Sequence, residues 1–313
     1  MLSFTLRRLG LAAVILVVAV SALYGMIHLV PGDPASVVLG PRATPEMKAA
    51  IREQLRLDDP FLVQLLHFFG DLLRGDLGTD LFTGRPVAAV VFEQLPHTLV
   101  LIVCAIAWAA ALGVPLGCVS ALLRGSRVDR FAGIVSVTCI ALPAFVVALA
   151  AQYLVAVRWK LLPALGVGEP GDLASQLRHL VLPAFALGLG WVGYVARLLR
   201  ASMVEQLGSG YVRTARAFGL PERRVVGHAL RVAVLPTVTI LGAGIGGLLS
   251  GAVLAEIVFA RPGIGKLIYD AVSTRNYPVV MGGVLVSTAF FVLSTALADG
   301  LNALLDPRLR SPE

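Results

Sequence analysis

The sequence predicts an all-α polytopic membrane protein with six transmembrane helices. Two features of composition and one of charge lead to this class. Of the 313 residues, 57% are hydrophobic and only 14% are charged, whereas soluble domains carry about 25% charged residues. Six long apolar runs contain no Asp, Glu, Lys or Arg. Basic residues gather in alternate segments between these runs, as they do in membrane proteins with basic cytoplasmic loops.

Each apolar run reaches or approaches the length of about 20 residues that a helix needs to cross a bilayer. The runs are residues 9–30, 99–123, 131–157, 180–196, 232–255 and 279–298. The fourth run is the shortest. We expect its helix to continue past Arg197 towards Arg200, because a long arginine side chain can extend to the membrane interface.

The first run could also be a signal peptide. Arg7 and Arg8 precede it, and the small residues at 20–22 resemble a cleavage site. The apolar stretch nevertheless continues to Val30, which is longer than the apolar region of a signal peptide. This length favours an uncleaved span.

The distribution of basic residues predicts the orientation. Arginine-rich segments lie before the first run, between the second and third, between the fourth and fifth, and after the sixth. Such segments remain cytoplasmic, so we expect both termini inside the cell. The expected divisions are an N-terminal transmembrane helix at 1–30, an extracytoplasmic cap segment at 31–98, a five-helix core at 99–303 that includes a cytoplasmic loop at 201–236, and a cytoplasmic tail at 304–313.

The cap segment carries signals for two amphipathic helices. Residues 44–46 supply an N-cap, a proline at the first helical position and an acid in the first turn. Residues 59–60 begin a second helix in the same way, and Gly75 is its expected end. A turn at 31–34 should stop the first span. The apolar stripe of the second helix is formed by Phe61, Leu65, Phe68, Phe69 and Leu72.

The loop between the fourth and fifth runs predicts a pair of short basic helices. Its segment 211–236 contains five arginines and a single acid, Glu222. Gly219 is expected to end the first helix in the left-handed conformation, and Pro221 to begin the second at its first position. A structured basic pair on the cytoplasmic side suggests docking to a partner. The alternative is a solvated linker.

Several function classes are not expected. The net charge of +7 is spread over loops without aromatic residues for base stacking, so nucleic-acid binding is excluded. Residues 262–266 resemble a phosphate loop, but Ala260 replaces the first glycine of Walker A, and Leu267 replaces its hydroxyl residue. The five histidines lack metal-ligand spacing. We therefore expect no metal and no cofactor.

The chain is also not expected to be an enzyme, because it lacks the spacings typical of catalytic residues. Ion-driven carriers usually need ionisable groups within the membrane. Here Glu256 and Asp299 are the candidates, and both lie at span ends. The energy for any transport is therefore expected to come from another protein.

The fifth run is rich in glycine. Gly242 and Gly246, and likewise Gly247 and Gly251, have the spacing that allows close helix contact. These glycines could serve helix packing, or they could permit gating and line a solute path. The sequence leaves both interpretations open.

Short motifs occur in a fixed order along nearly the whole chain. They are residues 7–8, 31–34, 75–78, 211–217, 219–220, 228–231, 235–236, 251–254 with Glu256, 262–265, 277–280 and 306–310. In this order they resemble the transmembrane subunits of bacterial ATP-binding-cassette importers, specifically the dipeptide and oligopeptide permease group.

The resemblance implies that the cytoplasmic loop carries a coupling helix that docks in a groove of an ATPase subunit. Residues 213–215 stand where the general family motif has Glu-Ala-Ala, and the segment 219–236 is longer than the general spacing. Both departures look like the peptide-permease group. The implied coupling residues are Tyr211, Arg213, Thr214, Ala215, Phe218, Gly219 and Leu220.

The resemblance also implies partners and a location. The partners are a second homologous permease, two cytoplasmic ABC ATPase subunits, an extracytoplasmic solute-binding protein and the lipid of the bacterial cytoplasmic membrane. The implied solutes are di- and oligopeptides. Importers of nickel, glutathione or haem use similar permeases and stay open as alternatives. A membrane-embedded enzyme and a structural scaffold are the alternatives from other classes, and the lack of polar clusters within the spans argues against the enzyme.

Overall fold

The structure, a computed structural model, describes residues 2–29, 44–54, 56 and 58–305. In this part of the chain every regular element is helical, apart from an isolated bridge between Thr79 and Pro86. The helices are α1 (Leu2–Leu29), α2 (Pro45–Gln54), α3 (Phe61–Leu73), α4 (Val87–Leu122), α5 (Arg127–Ala141), α6 (Ala144–Ala151), α7 (Leu173–Leu207), α8 (Gly210–Ala217), α9 (Glu222–Ala233), α10 (Leu235–Val258), α11 (Ile264–Ser273) and α12 (Tyr277–Leu305). The turn expected at 31–34 and the tail from residue 306 onwards lie outside the described residues.

Several helices have the length and composition of membrane spans. Val87–Leu122, Leu173–Leu207 and Tyr277–Leu297 qualify, and so does the stretch Glu222–Gly242, which covers α9 and the start of α10. The pair α5 and α6 qualifies as a fifth if it counts as one span. Apolar stretches within α1 and α10 are shorter. The all-helical membrane class is thus confirmed for the described residues. The count of six spans and the outer cap remain predictions.

The third apolar run differs from the continuous span expected at 131–157. It forms α5 and α6, which are bent by 97°. Pro143 accounts for the break, because proline lacks an N–H and disfavours helical geometry in the residue before it. Leu142 accordingly has φ −79° and ψ 120°, and Pro143 becomes the N-cap of α6. Beyond α6 the helix continues in π form over Gln152–Arg158.

Contacts divide the chain into two compact units. The first consists of Met1–Thr98 and Pro262–Val292. Its buried core comes from the start of α4, from α11 and from α12, together with one residue of the connection before α4. The members of this core are Leu77, Val87, Val91, Ile264, Ala271, Val279, Val280 and Val286.

Buried polar contacts join distant segments of the first unit. The Thr98 hydroxyl accepts a hydrogen bond from the Ile264 N–H at 2.9 Å. The Asp80 carboxylate accepts hydrogen bonds from the Asn276 amide and from the hydroxyl of Thr83. Burial by itself raises the pKa of Asp80, but the hydrogen bonds outweigh it and hold the pKa below its ordinary value.

Local signals in the segment after α1 are confirmed in part. The Thr44 hydroxyl accepts a hydrogen bond from the Met47 N–H at 3.3 Å, as an N-cap does. Gly75 has φ +79° just beyond the end of α3, in agreement with the expected helix end. The prediction for the start of α3 is wrong by one residue, because Pro60 itself is the N-cap and Asp59 precedes it.

The apolar stripe of α3 packs on α1. The Tyr24 ring lies 6.0 Å from Phe61 and 6.2 Å from Phe68 between ring centroids. The Tyr24 hydroxyl also donates to the side-chain oxygen of Gln64 at 3.2 Å, and Gln64 is buried. Phe61 is still 38% exposed, so the stripe is only partly covered within this chain.

The second unit consists of Leu99–Arg261 and Leu293–Glu313. In it, glycines allow α4, α5 and α7 to approach closely. A Cβ added at Gly113 would lie 2.7 Å from Val195 Cγ1, and one added at Gly117 would lie 2.6 Å from the Ala196 carbonyl oxygen. Gly193 of α7 lies against the α5 backbone in the same way. Small residues at such contacts let helix backbones come together.

Candidate functional site

The helices α8 and α9 form the basic pair that the sequence predicts. Gly219 has φ +74°, so the expected left-handed end of the first helix is confirmed. The Leu220 N–H donates to the Ala215 carbonyl at 3.2 Å, and the Gly219 N–H donates to the Arg216 carbonyl at 2.9 Å. These two bonds make a Schellman motif. Pro221 is the N-cap of α9 and not its first helical residue, so that prediction is wrong by one position.

One face of this pair is buried against other helices of the second unit. Val212 of α8 and Val225 of α9 are completely buried. They belong to one apolar cluster with residues at the end of α4 and the end of α7. The other members are Ala121, Leu199, Met203, Ala229 and Ala233. Because burying a valine side chain contributes roughly 1.5–3 kcal/mol, this cluster holds the α8–α9 pair on the ends of α4 and α7.

The opposite face of the pair is exposed. Phe218 is 81% exposed and Tyr211 is 43% exposed. Large apolar side chains that are exposed and grouped together mark interaction surfaces. A cavity of about 420 Å³ lies beside Tyr211, and its lining also includes Ala215, Leu220 and His228.

The seven predicted coupling residues fall into two groups. Those that are exposed are Tyr211, Arg213, Thr214, Phe218 and Gly219. Ala215 and Leu220 are half-buried and pack against the Val212 cluster. The first group is displayed to the surroundings, while the second group helps to fix the position of α8.

An ion pair braces the turn between the two helices. Arg216 donates from Nη2 to Glu222 Oε1 at 2.6 Å and from Nε to Oε2 at 3.1 Å. Both side chains are largely exposed, and exposed pairs contribute little to stability. The bidentate geometry nevertheless orients α9 relative to α8.

The glycine-rich α10 borders a second region. A cavity of about 550 Å³ is lined by Trp191, Tyr194, Gly244, Gly247 and Gly251 among other residues. None of its lining side chains is charged. Its volume lies within the range of small-molecule sites, which is roughly 300–1,000 Å³.

The glycines of α10 have different surroundings. A Cβ added at Gly244 would overlap the Trp191 indole, and one at Gly251 would lie 2.9 Å from Leu187 Cδ1. An added Cβ at Gly247 meets nothing within 4 Å. Gly246 is buried and Gly242 is half-buried. The sequence prediction did not pair Gly244 with another small residue, yet among Gly244, Gly247 and Gly251 it makes the closest contact.

Close-packed glycines on other helices were missed by sequence reasoning. Gly113 and Gly117 have the same four-residue spacing as the predicted pairs in α10. That spacing was the signal that could have found them. Gly188 and Gly193 of α7 lack it, and only the structure shows that they face α4 and α5.

The described residues offer no metal site: no group of three or more His, Cys, Asp or Glu side chains is close enough to hold an ion. Cys104, Cys118 and Cys139 are free and half-buried. Glu256 is completely buried and Arg261 is 5% exposed. Burial lowers the pKa of Arg261, and the charge of Glu256 opposes this effect.

The fold matches that of a known transporter. A structure of the MetNI methionine ABC transporter in inward-facing conformations aligns with a TM-score of 0.57 and 17% identity, over 69% of this chain and 96% of that chain. At this identity the likeness shows the fold alone.

Relatives of known name match along their whole length. The dipeptide transport system permease protein DppB of Escherichia coli K12 is 37% identical over 336 aligned positions, covering 99% of both chains. DppB of Alkalihalophilus pseudofirmus is 36% identical, covering 99% of this chain and 100% of the relative. The glutathione transport system permease protein GsiC of Salmonella typhimurium is 37% identical, covering 99% of both.

These matches define an importer permease, a multi-pass bacterial membrane protein of the ABC transporter class. Two family models agree with this class. The model "Binding-protein-dependent transport system inner membrane component" matches residues 113–311, and the model for the N-terminal part of such components matches residues 1–102. The chain belongs to this family, and the resemblance stated from its motifs is confirmed.

Proposed function

We propose that this permease carries di- or oligopeptides across the bacterial cytoplasmic membrane, with six spans and both termini cytoplasmic. It would work with a second homologous permease, two cytoplasmic ABC ATPases that hydrolyse ATP, and an extracytoplasmic solute-binding protein. The names of the DppB relatives and the predicted charge bias support this proposal. The expected divisions at 1–30, 31–98, 99–303 and 304–313 belong to the same proposal.

The observation that carries the coupling part of the proposal is the two-sided character of α8. Val212 is completely buried on one face, and Phe218 is 81% exposed at its end. A helix fixed to the spans on one side and displaying an aromatic residue on the other is suited to receive a partner. Aromatic residues that enter a partner's pocket are frequent hot spots, where truncation costs about 2 kcal/mol or more.

The solute path is proposed to run along the cavity beside α10. Trp191 and Tyr194 supply aromatic surface, and the glycines supply backbone and open space. An uncharged lining suits a solute whose side chains vary, because it does not select for one charge. A second permease would close the open side of this cavity.

The experiment measures uptake and ATP hydrolysis in proteoliposomes that contain the whole complex. Phe218→Ala and Gly219→Val should leave the permease inserted but lower both uptake and solute-stimulated ATP hydrolysis. A loss of about 2 kcal/mol at the contact corresponds to roughly 30-fold weaker docking. Valine at Gly219 is disfavoured because its φ is +74°.

Phe131→Ala is the matched control for these variants. Phe131 is a 67% exposed phenylalanine on α5, and it belongs neither to the apolar cluster nor to the cavity lining of the α8–α9 pair. The Phe131→Ala variant should show normal uptake and normal solute-stimulated ATP hydrolysis. Normal transport by both Phe218→Ala and Gly219→Val would remove this segment from the mechanism and favour the solvated linker.

Glutathione is the second candidate solute, because the GsiC relatives are as similar to this chain as DppB is. Competition between a labelled dipeptide and unlabelled glutathione in the same proteoliposomes separates the two. Inhibition by glutathione at concentrations where other dipeptides fail to compete would overturn the peptide assignment. Nickel and haem are tested by the same competition, and ATP-independent hydrolysis of a solute would revive the membrane-enzyme alternative.

A further inference from the structure

One carboxylate in the second unit, on α5, is hydrogen-bonded to side chains of two other helices, α4 and α7. Asp129, near the start of α5, accepts two hydrogen bonds from Arg200 of α7, from Nε at 2.6 Å and from Nη2 at 2.7 Å. It also accepts one from the Ser120 hydroxyl of α4 at 2.6 Å and one from the Gly125 N–H at 2.9 Å. We call this cluster the Asp129 clasp.

The clasp also fixes the start of its own helix. The Asp129 N–H donates to the hydroxyl of Ser126, the N-cap of α5, at 3.2 Å. Asp129 is 7% exposed, whereas Arg200 remains half-exposed. Bidentate arginine–carboxylate pairs add geometric specificity as well as strength. With all these bonds in place, the ends of α4, α5 and α7 have one mutual arrangement.

The clasp is adjacent to the attachment of α8. Leu199, the residue before Arg200, belongs to the cluster that buries Val212. Met203, one turn further along α7, belongs to it as well. A displacement of the α8–α9 pair therefore acts on α7 through this cluster, which includes the residue next to Arg200. Without the clasp, that displacement would reach α5 through packing alone, such as the close approach of Gly193 to the α5 backbone.

We propose that Asp129 is a positioning residue for energy coupling, which makes the ends of α4, α5 and α7 follow α8 as one block. Through Asp129, a movement of α8 reaches both α7 and the sharply bent α5–α6 pair. The proposal rests on the proposed coupling role of α8. It adds the route by which the movement leaves that helix.

The first test is the number of solute molecules transported per ATP hydrolysed by the complete complex in proteoliposomes. Asp129→Asn removes the charge that both Arg200 bonds depend on. We expect ATP hydrolysis to continue and uptake per ATP to fall by about tenfold, the factor expected from losing a charge-assisted hydrogen bond. Asp129→Glu keeps the charge and should restore part of the ratio. Arg197→Ala, which removes an exposed arginine one turn from Arg200 on α7, should leave the ratio unchanged.

The second test follows movement directly. Spin labels on cysteines at the exposed positions Arg130 and Arg197, in a chain whose three native cysteines are replaced, report the distance between α5 and α7. With Asp129 present, the distance distribution should be the same with and without ATP, because the helices move together. In Asp129→Asn it should broaden or shift when ATP binds.

A purely structural role gives a different result. It lowers the amount of assembled complex, while the surviving complexes keep the wild-type uptake per ATP and unchanged label distances, and this result would overturn the proposal. If Asp129→Asn does not assemble, Ser120→Ala removes one bond without leaving a buried charge unpaired, and it should lower the same ratio by a smaller factor. A wild-type ratio in Ser120→Ala would then count against the clasp.

The two proposals can fail separately. If Phe218→Ala transports normally, then α8 is not the coupling helix. If Phe218→Ala uncouples the complex while Asp129→Asn keeps the wild-type ratio, then α8 couples but the clasp does not relay its movement.

Discussion

The close approach of α4 and α7 can be tested by adding one methyl group. In Gly117→Ala the new Cβ would lie 2.6 Å from the Ala196 carbonyl oxygen and 3.1 Å from Leu199 Cβ. Favourable carbon contacts are about 3.5–4.0 Å long, so the two helices must separate by roughly 0.5–1 Å. The carbonyl oxygen belongs to a helix backbone and cannot rotate away as a side chain can. Overpacking of this kind costs about 1–3 kcal/mol.

Gly133→Ala supplies the matched control on the neighbouring α5. Nothing lies within 4 Å of an added Cβ at Gly133. Both variants gain the helix propensity of alanine over glycine, about 1 kcal/mol. The difference between them therefore isolates the clash, and we expect it to be about 1–3 kcal/mol.

The assay is the melting temperature of the purified complex in detergent, followed by fluorescence-detected size exclusion. One kcal/mol shifts the melting temperature by about 2–4 °C in domains of about 200 residues. Gly117→Ala should therefore melt several degrees below Gly133→Ala. Equal melting temperatures, or a higher one for Gly117→Ala, would refute the close contact of α4 and α7.

Three further predictions concern other parts of the chain. Gly244→Ala should push the Trp191 indole into the neighbouring cavity and lower uptake without lowering the amount of protein, and solute flux at fixed permease density measures this. The pKa of Asp80 is held below its unfolded value of about 3.9, so its contribution to stability is present at neutral pH and is lost as pH falls from about 4 through the folded pKa. When the melting temperature is measured against falling pH, the Asp80→Asn variant should therefore lose less stability in acid than the wild type does. A cysteine at Arg52 should react with a membrane-impermeant thiol reagent in intact cells while one at Arg223 should not, and the reverse pattern would overturn the topology.

Local features of the fold were predictable because a few neighbouring residues determine them. Thr44 caps α2, and the glycines 75 and 219 adopt positive φ beyond their helices, as the sequence indicates. The break at Pro143 also had a visible signal, but the length of the surrounding apolar run favoured a continuous span. In the structure, the missing N–H of the proline outweighs that apolar continuity.

Contacts between distant segments could not be predicted in the same way. Asp129 and Arg200 are separated by 71 positions, and each has the appearance of an ordinary loop-proximal charge in the sequence. The burial of Val212 depends on where α7 and α4 end in space. The exposed Phe218 was identified as a large apolar residue within the expected coupling segment, whereas the residues that hold this segment in place became visible only when the packing was known.

The separation of roles along α8 has a consequence for how such importers diversify. Side chains that secure the helix, such as Val212, point inward, while Phe218 and Arg213 are displayed outward. If α8 docks an ATPase as proposed, substitutions on the outward set would change which ATPase is accepted without touching the packing that stabilises the permease. On that proposal, a few surface residues would decide whether two such importers accept the same ATPase. Grafting the outward residues of α8 from a relative onto this chain should transfer ATPase preference while the rest of the permease stays as it is.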